Sequence, residues 1–269
     1  MKVKDKVAVI TGAGSGIGRA MALSLARRGC HLALADINPE GLRETARLAT
    51  AHGVRASTHV LDVASREAVA ALPAAVQAEH QHVDLLINNA GVALGGTFEE
   101  VSEADFDWLF SINFLAVVSL TRAFLPHLRQ RPQARLVNIS SIYGLISPPG
   151  QAAYSASKFA VRGFSNALSH ELAGSTVGVT LVHPGGVATG IAKNARAGAS
   201  LTAAETERQQ AQMGKLLRLS PEQAGESIIN GVERGQARIL VGKDAKLMAF
   251  LERLAPVGYM KIIQKFIRS

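Results

Sequence analysis

Val7-Ala8-Val9-Ile10-Thr11-Gly12-Ala13-Gly14-Ser15-Gly16-Ile17-Gly18 is the stretch on which the fold turns. Val7 to Thr11 is an apolar, β-branched run with strand character. It stops at a glycine-rich turn, and a helical pattern takes over across residues 19–28. Strand, glycine turn and helix in that order are the context a dinucleotide loop requires. The glycines let the backbone turn tightly and approach a pyrophosphate, which rests on the free amides of the helix N-terminus. The spacing is G-x-x-x-G-x-G rather than the commoner G-x-G-x-x-G, so the flanking elements carry the reading as much as the glycines do.

The same alternation continues outward. His31 to Ala35 reads as a second strand closing on Asp36, which lies 18 residues past Gly18. That is near the ~20 expected of a carboxylate that binds the adenosine ribose. The other reading of Asp36 is a cap for the helix that begins near Pro39. A third strand, Arg55 to Leu61, ends in Asp62-Val63, and a fourth, Val83 to Ile87, opens into Asn88-Asn89-Ala90-Gly91. Residues 103–131 read as one long helix, with a possible break, that holds Asn113 in apolar surroundings. Leu136 to Ile139 is a fifth strand running into Ser140-Ser141. Val177 to Val182 is a sixth, leading to Pro184-Gly185-Gly186-Val187-Ala188-Thr189, and Arg238 to Val241 a seventh. Helices at 40–51, 65–80, 152–173 and 222–234 fill the intervals. Strands alternating with helices imply right-handed crossovers and a parallel sheet covered on both faces. The expectation is α/β: one doubly wound, Rossmann-type domain of about seven strands over residues 1–269. Residues 190–219 read as a substrate lid and 244–269 as an amphipathic tail.

Chemistry enters at Tyr154-Ser155-Ala156-Ser157-Lys158. A tyrosine and a lysine four apart share one helix face. A free phenol titrates near ~10, and a fixed ammonium beside it favours the phenolate and draws that value down. The pair stands 13 residues after Ser141, downstream of the glycine turn and of Asn88 to Gly91.

Bulk properties bound the class. With 269 residues, 19% of them charged, the chain can bury a large core and reads as a soluble globular protein. One cysteine, Cys30, forbids an internal disulfide and suits a reducing, cytoplasmic setting. Neither a signal peptide nor an uninterrupted apolar run of membrane-spanning length is expected. The net charge of +8 is concentrated late, with seven basic residues against two acidic ones from Arg238 to Arg268. A basic stripe with aromatic platforms is missing, so nucleic acid is not the expected partner. His80-x-His82 lacks a third ligand and reads as a solvated helix end rather than a metal site, and His183 reads as structural.

These motifs resemble the short-chain dehydrogenase/reductase family over residues 5–242 or so. The resemblance rests on Thr11 to Gly18, Asp62-Val63, Asn88 to Gly91, Asn113, Ser140-Ser141, Tyr154-x-x-x-Lys158, and Pro184-Gly185 with Thr189. It implies an NAD-dependent oxidoreductase that interconverts a secondary alcohol and a ketone, with NADP the poorer cofactor because of Asp36. Tyr154 would be the general acid/base and Ser141 would hold the substrate oxygen. Lys158 would hold the nicotinamide ribose, and Asn113 would bend its helix and anchor a proton-relay water. The implied cofactor site comprises Gly12, Ser15, Gly16, Ile17, Gly18, Asp36, Asp62, Val63, Asn89, Ala90, Gly91, Pro184, Gly185, Val187 and Thr189, besides Tyr154 and Lys158. Asn113 has a plainer reading too, as a buried side chain satisfied by backbone. A non-catalytic dinucleotide sensor on the same fold would have no need of Asn113, Ser141, Tyr154 and Lys158 together.

Val92 to Leu94, Leu145, Ile146, Val187 and Met213 to Leu217 are expected near the substrate, and their apolar character favours a hydrophobic alcohol or ketone. Trp108, Phe110, Phe114, Val117, Leu120 and Phe124 spread beyond one helix face, as do Phe159, Val161, Phe164 and Leu168. This suggests a second buried surface and a homodimer or homotetramer. In the tail, apolar Tyr259, Ile262, Ile263, Phe266 and Ile267 oppose basic Lys261, Lys265 and Arg268, and Leu247, Phe250, Leu251 and Leu254 form another stripe. These stripes are expected to pack on the enzyme or a neighbouring subunit and to roof the substrate pocket. The alternative is peripheral contact with an anionic membrane.

Overall fold

A computed structural model describes residues 1–191, 194–197, 214 and 217–268, the side chains of 197 and 265–268 excepted. Seven parallel strands form one sheet: β1 (Val7–Thr11), β2 (His31–Asp36), β3 (Ala56–Val60), β4 (Leu85–Asn88), β6 (Ala134–Ile139), β7 (Val177–Pro184) and β9 (Arg238–Val241). Their spatial order is β3-β2-β1-β4-β6-β7-β9, so the winding reverses beside β1, between β1 and β4. That is a Rossmann-type, doubly wound sheet. Two short strands outside the sequence reading, β5 (Leu94–Gly95) and β8 (Arg196–Ala197), pair with each other in parallel. Most of the expected lid, including Met213, Lys215 and Leu216, lies outside the described residues.

Each strand sends alternate side chains to opposite layers. Ile10, Leu34 and Ile87 join Met21, Leu25, Leu42 and Ile228 on one face. Val9, Ala33, Leu86 and Leu136 join Leu72, Phe124, Leu128 and Leu168 on the other. The first layer is made by α1 (Gly16–Arg27), α2 (Pro39–Thr50) and the helix at Pro221–Glu233. The second is made by α3 (Arg66–His80), α5 (Ala116–Arg129) and α6 (Ala152–Glu171). Local signals set the helix starts: Asn38 accepts from the amides of Glu40 and Gly41, and Ser65, Ser102 and Ser220 cap in the same way.

The expected long helix is continuous from α4 (Glu103–Phe110) through a π-helical turn at Ser111–Leu115 into α5. It is long and apolar enough to cross a membrane. Here Leu120, Phe124 and Leu128 are buried against the sheet, and Leu115 is exposed. Pro221–Glu233 is α7, Lys243–Leu254 is α8 and Tyr259–Arg268 is α9.

Candidate active site

In a doubly wound sheet, ligands lie beyond the carboxyl ends of the strands where the winding reverses. The sequence-selected residues gather there. Gly12 follows β1, Asp36 ends β2, Asn89 to Gly91 follow β4, Ser140 and Ser141 follow β6, and Gly185 follows β7. Asp62 and Val63 follow β3 at the outer end of the same edge. Asp62 accepts from the amide of Ala64 at 2.9 Å, and Val63 packs on the second layer.

The glycine turn is shaped by close approach. A β-carbon on Gly18 would overlap the Gly12 carbonyl oxygen, and Gly16 has φ 52°, a left-handed value that glycine adopts freely. A β-carbon on Gly16 would lie 3.1 Å from Cγ2 of Thr189, which brings the loop after β7 against the glycine turn. Asn89 ties β4 to β1, donating from Nδ2 to the Thr11 carbonyl at 2.9 Å, while the Thr11 hydroxyl accepts from the Asn89 and Ala90 amides. The Gly14 amide donates to Asp36 at 2.8 Å, and the Asn38 amide donates to its other carboxylate oxygen at 2.9 Å. The cap of α2 is Asn38 rather than Asp36, whose carboxylate faces the glycine turn.

The catalytic candidates converge on α6. The Ser141 side chain lies close enough to the Tyr154 hydroxyl to favour its phenolate form. Ser141 starts a short 3₁₀ turn, Ile142–Gly144, and its hydroxyl oxygen accepts from the Tyr143 amide at 3.1 Å. Lys158 lies one helical turn from Tyr154, almost fully buried, with its Nζ 5.7 Å from the phenol ring centre and 3.4 Å from the Ile139 carbonyl oxygen. Asn113 sits inside the π-helical turn. Its amide oxygen accepts from the Val92 amide at 2.9 Å, and its Nδ2 donates to the Val92 carbonyl at 3.0 Å and to Ser157 at 3.3 Å. The side chain is thus satisfied by backbone, as its plainer reading anticipated. It also belongs to the cluster, because a β-carbon on Gly91 would touch both Asn113 Oδ1 and Lys158 Nζ.

Electrostatics correct one expectation. Burial pushes the Tyr154 phenol up to about 12, with the Ser141 side chain pulling the other way, and pushes the Lys158 ammonium down to about 8. Burial is the largest cause of both shifts, so the phenol stands above its ordinary value rather than below it.

Other expectations need amendment. Leu94, Leu145, Ile146 and Val187 are buried, with Val187 part of the first core layer, so they do not form an open apolar wall. Val92 and Leu94 still pack in one cluster with Tyr154. His80 is no solvated helix end. It is buried, its Nε2 lies 2.9 Å from the Ser57 hydroxyl, and burial pushes its imidazole down to about 4. Among the described residues no group of three or more His, Cys, Asp or Glu could hold a metal ion. The tail stripe Leu247, Phe250 and Leu254 is exposed rather than packed on the chain.

The contacts of four residues escaped the sequence reading because they join distant positions. His183 is fully buried with Nδ1 2.8 Å from the Ser141 carbonyl, and Arg162 donates to the Gly144 carbonyl at 3.2 Å. Together they grip the turn that carries Ser141. Arg196, 91 residues from Asp105, pairs with it at 3.1 Å and lies 3.6 Å over the Trp108 ring. The Tyr259 hydroxyl of α9 accepts from the Ser147 amide at 2.9 Å.

Comparison with known proteins agrees with this geometry. A family model described as short chain dehydrogenase matches residues 6–200. SadH of Mycobacterium tuberculosis, named as an oxidoreductase, is 46% identical over 266 residues, covering 97% of this chain and 94% of that protein. Estradiol 17-beta-dehydrogenase 11 of Macaca fascicularis is 33% identical over 98% of this chain and 83% of its own length. A crystal structure of a short-chain dehydrogenase/reductase from Burkholderia phymatum in complex with NAD superposes with a TM-score of 0.86 at 32% identity, covering 95% of both chains. The chain belongs to the short-chain dehydrogenase/reductase family of oxidoreductases.

Proposed function

We propose that this chain interconverts a secondary alcohol and a ketone, with NAD as its cofactor. The observation that carries the reading is Tyr154 beside Ser141, with Lys158 one turn behind it, next to a glycine turn at the sheet's reversal point. The residues fit a dinucleotide. The turn is stripped of side chains where a pyrophosphate would approach, and Gly12, Ser15, Gly16, Ile17 and Gly18 would hold it at the start of α1. Asp36 would take the adenosine ribose, Asp62 and Val63 the adenine, and Asn89, Ala90 and Gly91 the adenosine side. Pro184, Gly185, Val187 and Thr189 would take the nicotinamide end. NAD bound there supplies the hydride acceptor for oxidation or, reduced, the hydride donor.

The protein's part is proton transfer and charge. In reduction, Tyr154 gives its proton to the carbonyl oxygen while Ser141 donates a hydrogen bond to that oxygen. A phenol pushed up to about 12 holds its proton at neutral pH. Lys158 has three donors, and the Ile139 carbonyl takes one, which leaves N–H groups for ribose hydroxyls. Its charge opposes the negative charge that grows on Tyr154. Asn113 positions Val92 beside this group.

NAD rather than NADP follows from Asp36, whose carboxylate would meet a 2′-phosphate. Arg19, whose guanidinium donates to the Gly14 and Gly41 carbonyls and whose Nε donates to Thr45, is a nearby cation that would blunt this preference. A hydrophobic substrate is supported by the apolar cluster around Tyr154 and by the steroid alcohol in a relative's name. The buried free thiol of Cys30 suits a reducing, cytoplasmic setting. One catalytic domain spans the chain, and a symmetric dimer or tetramer would cover the groove between α3 and α5, where exposed Leu115 lies beside Val69, Val118 and Ala123. Light scattering that finds only monomer at micromolar concentration would refute the assembly.

The test of the chemistry is Tyr154→Phe. Turnover should fall by the ~10²–10⁴ typical of general acid–base groups, with NAD binding unchanged. A variant as fast as the wild type would refute the mechanism.

A further inference from the structure

Four of the eight large apolar side chains exposed among the described residues lie within one short stretch, Leu247, Phe250, Leu254 and Val257, and the other four are scattered along the chain. Single exposed apolar residues are ordinary, whereas a contiguous group marks a surface that something covers. Leu247, Phe250 and Leu254 follow one another at steps of three and four on α8, so they form one stripe of the helix. Ala245, on the far side of α8, is buried against the body of the protein.

The same surface is basic. Lys243, Lys246, Arg253 and Lys261 are all exposed. Lys246 and Arg253 are seven residues apart and run along the flank of the apolar stripe. The two acids in this segment, exposed Asp244, which accepts from the Gly186 amide, and half-buried Glu252, are outnumbered by the four cations. An apolar stripe beside a row of cations suits a phospholipid surface of negative charge. The apolar side chains enter the acyl boundary, and the long lysine and arginine stems reach back to the headgroups. A second copy of the chain fits less well. Two-fold pairing through this stripe would bring together the cation rows of the two copies, four cations against two acids in each.

We propose that α8 and the segment to Val257 dock this protein on an anionic lipid surface. The docking face is joined to the site at two points. Asp244 at the start of α8 holds the loop after β7, and Tyr259 at the start of α9 holds the segment after Ser141. If the substrate is the hydrophobic alcohol or ketone proposed above, the face brings the loops around the site to the phase in which such a molecule dissolves. That second clause rests on the functional reading, and the docking itself does not.

The experiment is cosedimentation of the full chain with phosphatidylserine-containing vesicles and with pure phosphatidylcholine vesicles. Binding to the serine lipid should be strong at low ionic strength. It should weaken roughly tenfold or more at physiological salt, where the screening length contracts from about 30 Å to about 8 Å. Lys246→Glu with Arg253→Glu should abolish it, and so should Phe250→Ser with Leu254→Ser. Both double variants alter exposed side chains, and their NAD affinity and activity on a small water-soluble alcohol should match the wild type. Absence of vesicle binding by the wild type overturns the proposal. Binding that survives both double variants overturns it as well. A dimer in light scattering that Phe250→Ser breaks, without vesicle binding, assigns the face to a second copy instead. Vesicle binding is read without turnover, so its result stands apart from that of Tyr154→Phe.

Discussion

Replacing Asp36 with asparagine isolates charge from shape at the cofactor's adenosine end. The carboxylate accepts from the Gly14 amide at 2.8 Å and the Asn38 amide at 2.9 Å. An asparagine oxygen can keep one of these bonds, so the turn should hold. Toward NAD the change replaces charge-assisted bonds to ribose hydroxyls with neutral ones, a loss of about 1 kcal/mol, or roughly fivefold. Toward NADP it removes a like-charge contact. At ~4 Å such a contact costs ~1 kcal/mol per charge pair in water and ~4 kcal/mol at an intermediate dielectric. Asp36 is half-buried, so the lower end applies. With about two charges on the phosphate, the relief is about 2 kcal/mol, or roughly thirtyfold. The ratio of kcat/KM for NAD over NADP should therefore fall by roughly a hundredfold, most of it from improvement with NADP. Steady-state rates with both cofactors on one good alcohol measure it. An unchanged ratio, or a wild type that already prefers NADP, would refute the assignment.

His183 provides a second test. The Ser141 carbonyl can only accept, so His183 carries its proton on Nδ1, and an imidazole pushed down to about 4 stays neutral at working pH. The Ser141 carbonyl also accepts from the Gly144 amide, so one hydrogen bond is at stake. His183→Leu should lower kcat by about three- to tenfold, from ~0.5–1.5 kcal/mol, with KM for NAD unchanged. His183→Asn, whose amide can donate near the same point, should recover most of the loss, and an asparagine variant no better than leucine would refute the positioning role. The last prediction concerns acid. Its hydrogen bond to Arg28 holds the Glu226 carboxyl at about 2, below its ordinary 4.5, joining α7 to α1. A depressed folded-state value adds stability that is full above the ordinary one and is lost as pH falls from 4.5 toward 2. The carboxylate is 41% exposed, so solvent screening limits the effect to about 1 kcal/mol. Glu226→Gln should flatten the thermal-stability profile across that interval, and an unchanged acid limb would refute the pairing.

The sequence by itself determined whatever depends on neighbours along the chain. Strand runs, the glycine turn, and Tyr154 one turn from Lys158 are all local. Local pattern therefore marked the seven main strands and the places where they end. Because a parallel sheet gathers its strand ends at one edge, that was enough to bring Asp36, Asn89, Ser141 and Tyr154 together. Tertiary structure alone decided what depends on contact between distant segments. Arg196 on Trp108, His183 on Ser141 and Tyr259 on Ser147 leave no periodic trace in a single chain. Burial is such a property as well. The sequence put an ammonium beside a phenol and implied a lowered pKa, but the fold desolvates both groups, and desolvation pushes the phenol up. It was also burial that separated Val187, packed in the core, from Phe250, left on the surface, although both are apolar.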